Sequence, residues 1–420
     1  MKKRRNKLLI ENAAQLLTMR GEGNDQIGLV ENGWLYAEDG IIRAVGSRET
    51  VLAAVSDPEA VTRVDASGKV VTPGLIDCHT HVVFGGSRVE EYAVKLTDSR
   101  PEALAERGIQ TGIYASVNMT RDVPVEVLAA QTERRIRGML VHGTTTLESK
   151  SGYGLTLPSE MKMLEVNRLL SAALPLDIVS TFLGGHGWAE DMPKDRYIDL
   201  LCQEMIPQVA AFHMAAFNDV WCDEGHFTAE ESERILSCGR EHGLIPTIHT
   251  DAYSYIGGSD LAAEMKMASA VHLNYTPEHV FPKLRDAGVV GVVLPGIDFA
   301  VKHDRPFNPR PMLDCGMTLA LATNCCPGCW LESMQMVLIL ACRQHGFSPA
   351  EAFRAATYGS ARALTLTDRG VLDEGKTADL LLFDVGTYED VVYQYGRNHV
   401  ELVIKGGDIV VREGRILAEE

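Results

Sequence analysis

Eight short apolar segments, separated by helix-like stretches, most strongly constrain what this chain of 420 residues can fold into. The segments are predicted strands at 74–79, 143–148, 177–182, 219–223, 245–251, 270–274, 288–294 and 319–324. Apolar spacing predicts helices at 158–173, 229–242, 277–286 and 330–345. Strands that alternate with helices are typical of a parallel α/β architecture. Eight such units predict a closed (β/α)8 barrel of the TIM type.

Both ends of the chain have a different pattern, with short strand-like segments that are punctuated by glycine. These segments lie at 34–37, 40–46 and 61–66 near the start, and at 379–384, 400–404 and 408–414 near the end. Neither set has enough strands to close a sheet alone. We therefore expect residues 1–70 and 366–420 to form one composite β-sandwich, with residues 71–365 forming the barrel.

Composition narrows the class of protein and its partners. The formal net charge of −17 argues against nucleic acid and anionic membranes, since both would repel the chain. The basic start at 1–5 is followed by only three apolar residues, which is too short for a signal-peptide core, and no apolar stretch reaches membrane-spanning length. Nine cysteines without a secretion signal indicate reduced thiols. The sequence predicts a cytoplasmic protein.

Two histidines, His79 and His81, close the first apolar segment of the predicted barrel. Side chains two residues apart point to the same face of a strand, so both imidazoles can reach one cation. Neutral imidazole is a common ligand of zinc and similar metals. An isolated pair of this kind in a loop would more often be chance, but the position at a strand end favours a metal site.

More histidines follow at the ends of later predicted strands. His186 follows the third strand, His249 lies in the fifth, and His272 lies in the sixth. Active sites of closed (β/α)8 barrels form at this end of the strands. A single histidine here would more often hold a backbone carbonyl. These three and the earlier pair make five histidines at one end of the barrel, which predicts metal-assisted hydrolysis with water as nucleophile.

Several tracts resemble the amidohydrolase superfamily and, within it, the imidazolonepropionase family. They are PGLID at 73–77 with the two histidines that follow, FGGSR at 84–88, GTTT at 143–146, ESKSGYGL at 148–155 and STFLG at 180–184. The resemblance runs over nearly the whole chain, including the terminal strands. The tract at 148–155 is specific to the family, whereas the histidine pair alone indicates only the superfamily.

The resemblance implies a barrel with one divalent metal ion, held by His79, His81 and His249. Three histidines with an open position suit zinc, and iron, manganese and nickel fit the same nitrogen set. The fourth ligand of the family is an aspartate at the end of strand eight, a position that falls on Asn324 here. Relatives of this kind are commonly homodimers.

The resemblance also implies a substrate that carries a propionate on a five-membered ring. Arg88, Tyr153 and His186 match the residues that hold it. A guanidinium can bind a carboxylate through two hydrogen bonds, and a tyrosine hydroxyl adds another. His272 matches a histidine that could polarise the carbonyl or orient water. The alternatives without substrate binding are that Arg88 forms a surface salt bridge and that Tyr153 packs as an aromatic residue of the core.

The chain departs from the family pattern at positions that match a metal ligand, a catalytic residue and ring contacts. Besides Asn324, Ala252 stands where a catalytic glutamate follows the strand-five ligand. Cys326 and Cys329 stand where an asparagine and a small hydroxyl residue contact the ring, while Gly328 is kept. Loss of a positioned general base typically reduces the rate by about 10²–10⁴.

Three thiols, those of Cys325, Cys326 and Cys329, lie in the loop that should face the metal. The spacing at 326–329 is that of a redox or soft-metal pair and can lower the pKa of one thiol. The structural alternatives are that the thiols pack as small buried apolar groups, form a disulfide, or bind a second, structural metal ion. Because these thiols replace positions that contact substrate, we expect Cys326 and Cys329 to take part in catalysis.

Three functions are consistent with this sequence, all with a small anionic heterocycle as ligand. The first is metal-activated attack of water on a ring carbon of an imidazolone- or hydantoin-type propionate, as in catabolism of histidine derivatives. The second is hydrolytic release of sulfide from a 2-thioxo (thiohydantoin) propionate, as in ergothioneine-type catabolism. The third is a catalytically silent relative that binds a metal or acts in redox chemistry.

Overall fold

Eighteen strands form two sheets in a computed structural model that describes residues 6–98, 100 and 102–417. The basic segment at 1–5 lies outside the described residues. The strands are β1 (Lys7–Leu17), β2 (Leu29–Glu38), β3 (Ile41–Gly46), β4 (Thr62–Asp65), β5 (Val70–Pro73), β6 (Leu75–Asp77), β7 (Thr144–Lys150), β8 (Asp177–Gly185), β9 (Phe217–Cys222), β10 (Ile245–Pro246), β11 (Ile248–Thr250), β12 (Ser269–His272), β13 (Val290–Val293), β14 (Leu319–Leu321), β15 (Leu380–Phe383), β16 (Val400–Lys405), β17 (Asp408–Arg412) and β18 (Arg415–Ile416).

The helices lie mainly between the strands of the second sheet. They are α1 (Arg48–Ala54), α2 (Val89–Thr97), α3 (Glu102–Ala105), α4 (Gly112–Arg121), α5 (Val125–Val141), α6 (Leu157–Ala173), α7 (Lys194–Leu200), α8 (Ile206–Ala211), α9 (Ala229–Glu241), α10 (Gly258–Glu264), α11 (Phe281–Ala287), α12 (Pro295–Val301), α13 (Pro309–Asp314), α14 (Met334–His345), α15 (Pro349–Arg354), α16 (Ser360–Ala363) and α17 (Tyr388–Tyr393). A 3₁₀ turn spans Glu278–Val280, and π-helical turns span Leu201–Met205 and Ala355–Gly359.

The second sheet is the predicted barrel. Its order in space is β14-β13-β12-β11-β9-β8-β7-β6, every pair along it is parallel, and β10 pairs with β9. The segments that follow β6 and β14 meet at the open side of this order. There the Asn324 amide donates to the His79 carbonyl at 3.1 Å, and the His81 amide donates to the Cys325 carbonyl at 2.9 Å. The barrel is therefore nearly closed at its carboxyl end.

The first sheet combines strands from both ends of the chain, as predicted. Its order is β18-β17-β16-β15-β5-β1-β2-β3, with β4 beside β1. Apolar side chains of the two halves, such as Leu8, Leu380 and Leu402, pack into one buried cluster. The long strand β1 is absent from the sequence predictions because its alternation breaks at Asn12, where φ is 57° and the pairing with β2 shifts register. The exact division at residues 71 and 365 stays a prediction.

A single residue, Gly74, separates β5 in the first sheet from β6 in the barrel. Its amide donates to the Asp379 carbonyl at 2.9 Å. A Cβ at this position would lie 2.2 Å from Thr145 Oγ1, so no larger residue fits without a shift of the chain. The two sheets are therefore joined tightly, immediately before the segment that carries His79 and His81.

Most predicted boundaries agree with the structure to within a few residues. The fifth strand is divided into β10 and β11, and the last predicted helix begins at Met334 because Ser333 caps it. A capping box of Thr228 and Glu231 begins α9. Among the described residues, every helix falls short of the length and apolarity that a membrane crossing requires.

Arg135 on α5 supports the segment after His81. Its Nε donates to the Val82 carbonyl at 2.9 Å, its Nη2 donates to the Phe84 carbonyl at 2.6 Å, and its guanidinium lies 3.7 Å from the centre of the Phe84 ring. The side chain is buried, and burial lowers its pKa to about 10. This arginine therefore satisfies carbonyl groups that water does not reach.

Replacement of Arg135 by methionine should lower the free energy of unfolding by about 1–3 kcal/mol, because two buried carbonyls lose their donor. Urea unfolding followed by circular dichroism measures the change. The matched control is Arg134→Met, since Arg134 is exposed on the same helix. Equal stability of the two variants would contradict the proposed support.

Candidate metal centre and substrate site

Three imidazoles converge at the carboxyl end of the barrel. One ligand atom from each of His79, His81 and His249 can be chosen so that all lie within 4.8 Å of one another. His81 Nε2 and His249 Nε2 are 3.3 Å apart, and both nitrogens of His79 lack a hydrogen-bond partner although they are buried. Two nitrogens on one tetrahedral zinc ion at about 2.0–2.1 Å are about 3.3–3.4 Å apart. The spacing therefore suits one divalent ion.

The protonation state of His79 and His81 also suits a metal. Burial lowers the pKa of His79 and His81 well below the usual value, and the positive charge of Lys150 and of the neighbouring histidines lowers it further. Neutral imidazole is the form that binds metal ions. The three histidines are thus the candidate site for a divalent metal ion.

The histidine pair lies just after β6 and not within it, which corrects the expectation from the sequence. Thr80, the residue between the two ligands, is held by the neighbouring strand β7. Its amide donates to Glu148 Oε2 at 3.0 Å, its hydroxyl donates to the Glu148 carbonyl at 2.7 Å, and its carbonyl accepts from the Lys150 amide at 3.1 Å. These bonds, and not ladder pairing of β6, direct both imidazoles to one side.

The third ligand has an acidic neighbour that the sequence reading left without a role. Asp219 on β9 is fully buried, and its Oδ2 lies 3.0 Å from His249 Nδ1. A carboxylate in this place orients a metal-binding imidazole and leaves Nε2 free for the ion. Lys150 contacts the same oxygen at 2.9 Å. Both residues could have been noticed in the sequence, because a charged side chain within an apolar strand segment is unusual.

Two further predicted residues, Tyr153 and His186, lie against the ligand His81. The His186 ring stacks on that of His81, with centroids 4.9 Å apart, and the Tyr153 ring is 5.8 Å from it. His186 Nδ1 lies 3.2 Å from the Gly152 carbonyl, which leaves Nε2 for a ligand. Burial raises the pKa of Tyr153 well above its usual value, so its hydroxyl stays a hydrogen-bond donor.

The loop that carries Tyr153 is fixed by a carboxylate, that of Glu160, to which the sequence analysis assigned no role. Glu160 accepts hydrogen bonds at 2.8 Å from the amides of Gly152, Gly154 and Leu155. Gly152 has a φ of 112°, and a Cβ there would lie 2.9 Å from the Leu183 carbonyl. Glycine is therefore required in this part of the family-specific tract.

His272 ends β12 close to two of the three candidate metal ligands. Its ring centre is 5.6 Å from that of His249 and 6.2 Å from that of His79. Burial lowers its pKa well below the usual value, so the ring is neutral. All five histidines predicted from strand ends thus lie together.

Arg88 lies at the entrance of the site, but its surroundings differ from expectation. Its Nε and Nη2 both donate to the carboxylate of Glu91 at 2.6 Å, and its Nη1 lies 3.4 Å from Ser116 Oγ. That edge of the guanidinium is therefore occupied, and a ligand carboxylate would meet the side of Nη1. A Cβ on Gly328 would lie 3.7 Å from this nitrogen. A cavity of about 430 Å³ opens beside Arg88, Gly328 and Cys329.

Two residues that depart from the family pattern, Asn324 and Ala252, are both buried. Asn324 has a φ of 52°, a left-handed conformation that asparagine tolerates well, and its amide is bonded to the His79 carbonyl. Ala252 donates its amide to Asp223 and accepts at its carbonyl from His303 Nε2 at 2.9 Å. The neighbouring Asp251 accepts from the hydroxyls of Thr250 and Thr276, so its carboxylate is engaged in structure.

Comparison with known proteins assigns the chain to a family. Imidazolonepropionases from Geobacillus kaustophilus and Brevibacillus brevis are 41% and 40% identical to it, over 97% of this chain and 99% and 98% of their own length. The chain belongs to the imidazolonepropionase family. A model of the amidohydrolase family also matches residues 247–410. The predicted resemblance and the class of metal-dependent amidohydrolase are confirmed.

Solved structures confirm the fold of this imidazolonepropionase relative. An adenosine deaminase from Xanthomonas campestris with bound zinc has a TM-score of 0.74 at 18% identity, over 99% of this chain and 95% of that one. A triazine hydrolase from Arthrobacter aurescens has a TM-score of 0.71 at 19% identity, over 98% and 96%. At this identity the likeness concerns the barrel and terminal sheet alone.

The cysteine loop of this family member corrects the expectation of an activated thiol. Burial raises the pKa of Cys325, Cys326 and Cys329, and for Cys326 the amides of Gly328 and Cys329 and the charge of Arg88 offset burial only in part. All three are free thiols, and the backbones of Cys326 and Cys329 exchange two hydrogen bonds at 3.0 and 3.1 Å. Among the described residues, the three histidines are the one candidate metal group.

These raised pKa values predict slow alkylation of the loop. Iodoacetamide reacts with the thiolate, so Cys325, Cys326 and Cys329 should stay unmodified at pH 7 and react faster as the pH rises above 9. Peptide mass spectrometry at successive times measures the labelling. Protein unfolded in urea, in which all nine cysteines should react, is the control. Fast labelling of native Cys326 at pH 7 would show an activated thiol.

Proposed function

We propose that the protein is a metal-dependent cyclic amidohydrolase that opens an imidazolone- or hydantoin-type ring bearing a propionate, in catabolism of histidine derivatives. The observation that carries the proposal is the buried group of His79, His81 and His249, set beside Arg88 and Tyr153 in a chain about 40% identical to imidazolonepropionases. The comparisons support this reading and lend no support to a desulfhydrase or to a catalytically silent relative.

The ion at the three histidines is proposed to be zinc. Three nitrogen donors with an open position suit zinc, although iron, manganese and nickel accept the same donors. When bound, the ion supplies Lewis-acid activation of water and of the ring carbonyl. Asn324 is proposed as the neutral donor at the fourth position, where its left-handed backbone is fixed by the His79 carbonyl.

The chain's own groups divide the remaining tasks. Arg88 Nη1 and the Tyr153 hydroxyl bind the propionate, while His186 Nε2 donates to or accepts from the ring. His272 is neutral and lies close to two of the candidate metal ligands, so it can hydrogen-bond the carbonyl or accept a proton from water. No carboxylate replaces Ala252 among the described neighbours, because Asp251 and Asp223 are both bonded elsewhere.

Turnover of 4-imidazolone-5-propionate and of its 2-oxo and 2-thioxo analogues tests the proposal. Ring absorbance, formation of an open-chain amide and sulfide release are followed for the zinc-loaded protein, after chelation and after zinc is restored. Ring opening that chelation abolishes and zinc restores supports the proposal. Silence on all three substrates at full metal content contradicts it and favours the silent relative.

A second candidate function, release of sulfide from the 2-thioxo ring, is favoured by one observation. The Cys326 thiol stands where the family has a polar group that contacts the ring, and it lies near Arg88: a Cβ on Gly328 would be 3.9 Å from Cys326 Sγ and 3.7 Å from Arg88 Nη1. A neutral thiol is a soft, weak hydrogen-bond partner that suits sulfur better than oxygen. Sulfide from the 2-thioxo compound, lost in Cys326→Ser, would favour this candidate. Full activity of that variant on every substrate would remove the argument.

Substitution of Arg88 by methionine should weaken binding of the propionate substrate selectively. Loss of a charged hydrogen bond costs about 1.5–3 kcal/mol, which is roughly a tenfold to 150-fold rise in KM. The same ring without the propionate is the matched control, and its KM should change little. Equal losses for both compounds would contradict the proposed carboxylate contact.

The homodimer and the cytoplasmic location remain predictions.

A further inference from the structure

The buried ammonium of Lys150 lies between two carboxylates that lead to different parts of the metal centre. Its Nζ is 2.7 Å from Glu148 Oε1 and 2.9 Å from Asp219 Oδ2. None of the three side chains is more than 2% exposed. A buried cation of this kind persists only where its partners compensate the loss of water.

One arm of this group reaches the histidine pair. Glu148 Oε2 accepts from the Thr80 amide at 3.0 Å, and Thr80 is the residue between His79 and His81. The Lys150 amide adds a bond to the Thr80 carbonyl at 3.1 Å. Any movement of the Glu148 side chain would therefore be passed directly to the peptide that carries two of the three ligands.

The other arm reaches the third ligand. Asp219 Oδ2 lies 3.0 Å from His249 Nδ1, and the Nε2 of the same ring faces His81 at 3.3 Å. The oxygen that contacts Lys150 is thus the one that orients His249. The rotation of this ring, and with it the spacing of the ligand nitrogens, depends on where Asp219 is held.

We propose that Lys150 is a positioning residue that couples both carboxylates and so holds the three histidines at the spacing of a single metal ion. The inference rests on the metal centre of the proposed function and is independent of the substrate. Without the ammonium, Glu148 and Asp219 would lose the donor that they share, and the two carboxylates would separate or one would take up a proton, because like charges repel strongly in a protein interior. Their separation would draw His249 away from the histidine pair.

The ionisation of the group agrees with this arrangement. Burial disfavours the ammonium of Lys150, but Asp219 and Glu148 outweigh it and raise the pKa of the lysine. Burial likewise opposes the charge of Asp219, and His249 and Lys150 outweigh it and hold that pKa well below the usual range. For Glu148 burial dominates and raises the pKa.

The first test is the affinity of Lys150→Met for zinc, measured by competition with a chromogenic chelator in the absence of substrate. Loss of support to a metal ligand typically weakens metal binding by about 10–100-fold, and we expect a loss in this range. Lys162→Met is the matched control. The Lys162 ammonium also donates to protein groups, the backbone carbonyls of Thr120, Arg121 and Val123. Because it does not contact the histidines, its loss should leave zinc affinity unchanged.

The second test separates coupling from simple loss of structure. Glu148→Gln alone should weaken zinc binding, because Lys150 loses one partner and Thr80 a charged acceptor. In the Lys150→Met background the same substitution should strengthen binding at least several-fold, because it removes the repulsion between the carboxylates. A role in folding alone predicts additive losses and no such rescue.

Wild-type zinc affinity in Lys150→Met, or additive losses in the double variant, would overturn the proposal. If Lys150→Met does not fold, the double variant should still fold and bind zinc, and its failure to do so would also overturn the proposal. A wild-type protein that binds zinc yet opens no ring would contradict the proposed function and leave this inference standing.

Discussion

The site exists because the first and last strands of the barrel meet. Backbone hydrogen bonds between the segments that follow β6 and β14 bring Asn324 against the carbonyl of His79 and Cys325 against the amide of His81. The same contact places the cysteine loop over the metal ligands. Every departure from the family pattern except Ala252 lies in this one loop. The residues that distinguish this chain from its family are therefore found where the barrel closes.

Charged groups in this site are partnered by opposite charges, and several of the surrounding side chains are neutral. Burial keeps His79, His81 and His272 uncharged and the three loop thiols protonated. Lys150 forms ion pairs with its two carboxylates, and Arg88 forms one with Glu91. Such a site agrees with the proposed anionic ring substrate, whose carboxylate would meet Arg88 while the ring would meet neutral donors and the ion.

The sequence predicted the barrel, the joint terminal sheet and the five converging histidines, because hydrophobic periodicity and strand ends are local features. It placed His79 and His81 in a strand, since it could not show that β6 stops at Asp77. It assigned no role to Asp219 or Glu160, whose partners are distant in the chain. The reduced acidity of Cys326 was also out of reach, because thiol spacing carries no information on burial.

The link at Gly74 gives the terminal sheet a mechanical share in the chemistry. With a single residue between β5 and β6, and with the Asp379 carbonyl bonded to the Gly74 amide, a displacement of the carboxyl-terminal strands would reach His79 over only five residues. The sheet is thus an anchor for the first ligand pair as well as a cover for apolar surface. A barrel excised from this chain, or grafted onto a foreign sheet, would inherit the histidines without the tether that sets their approach.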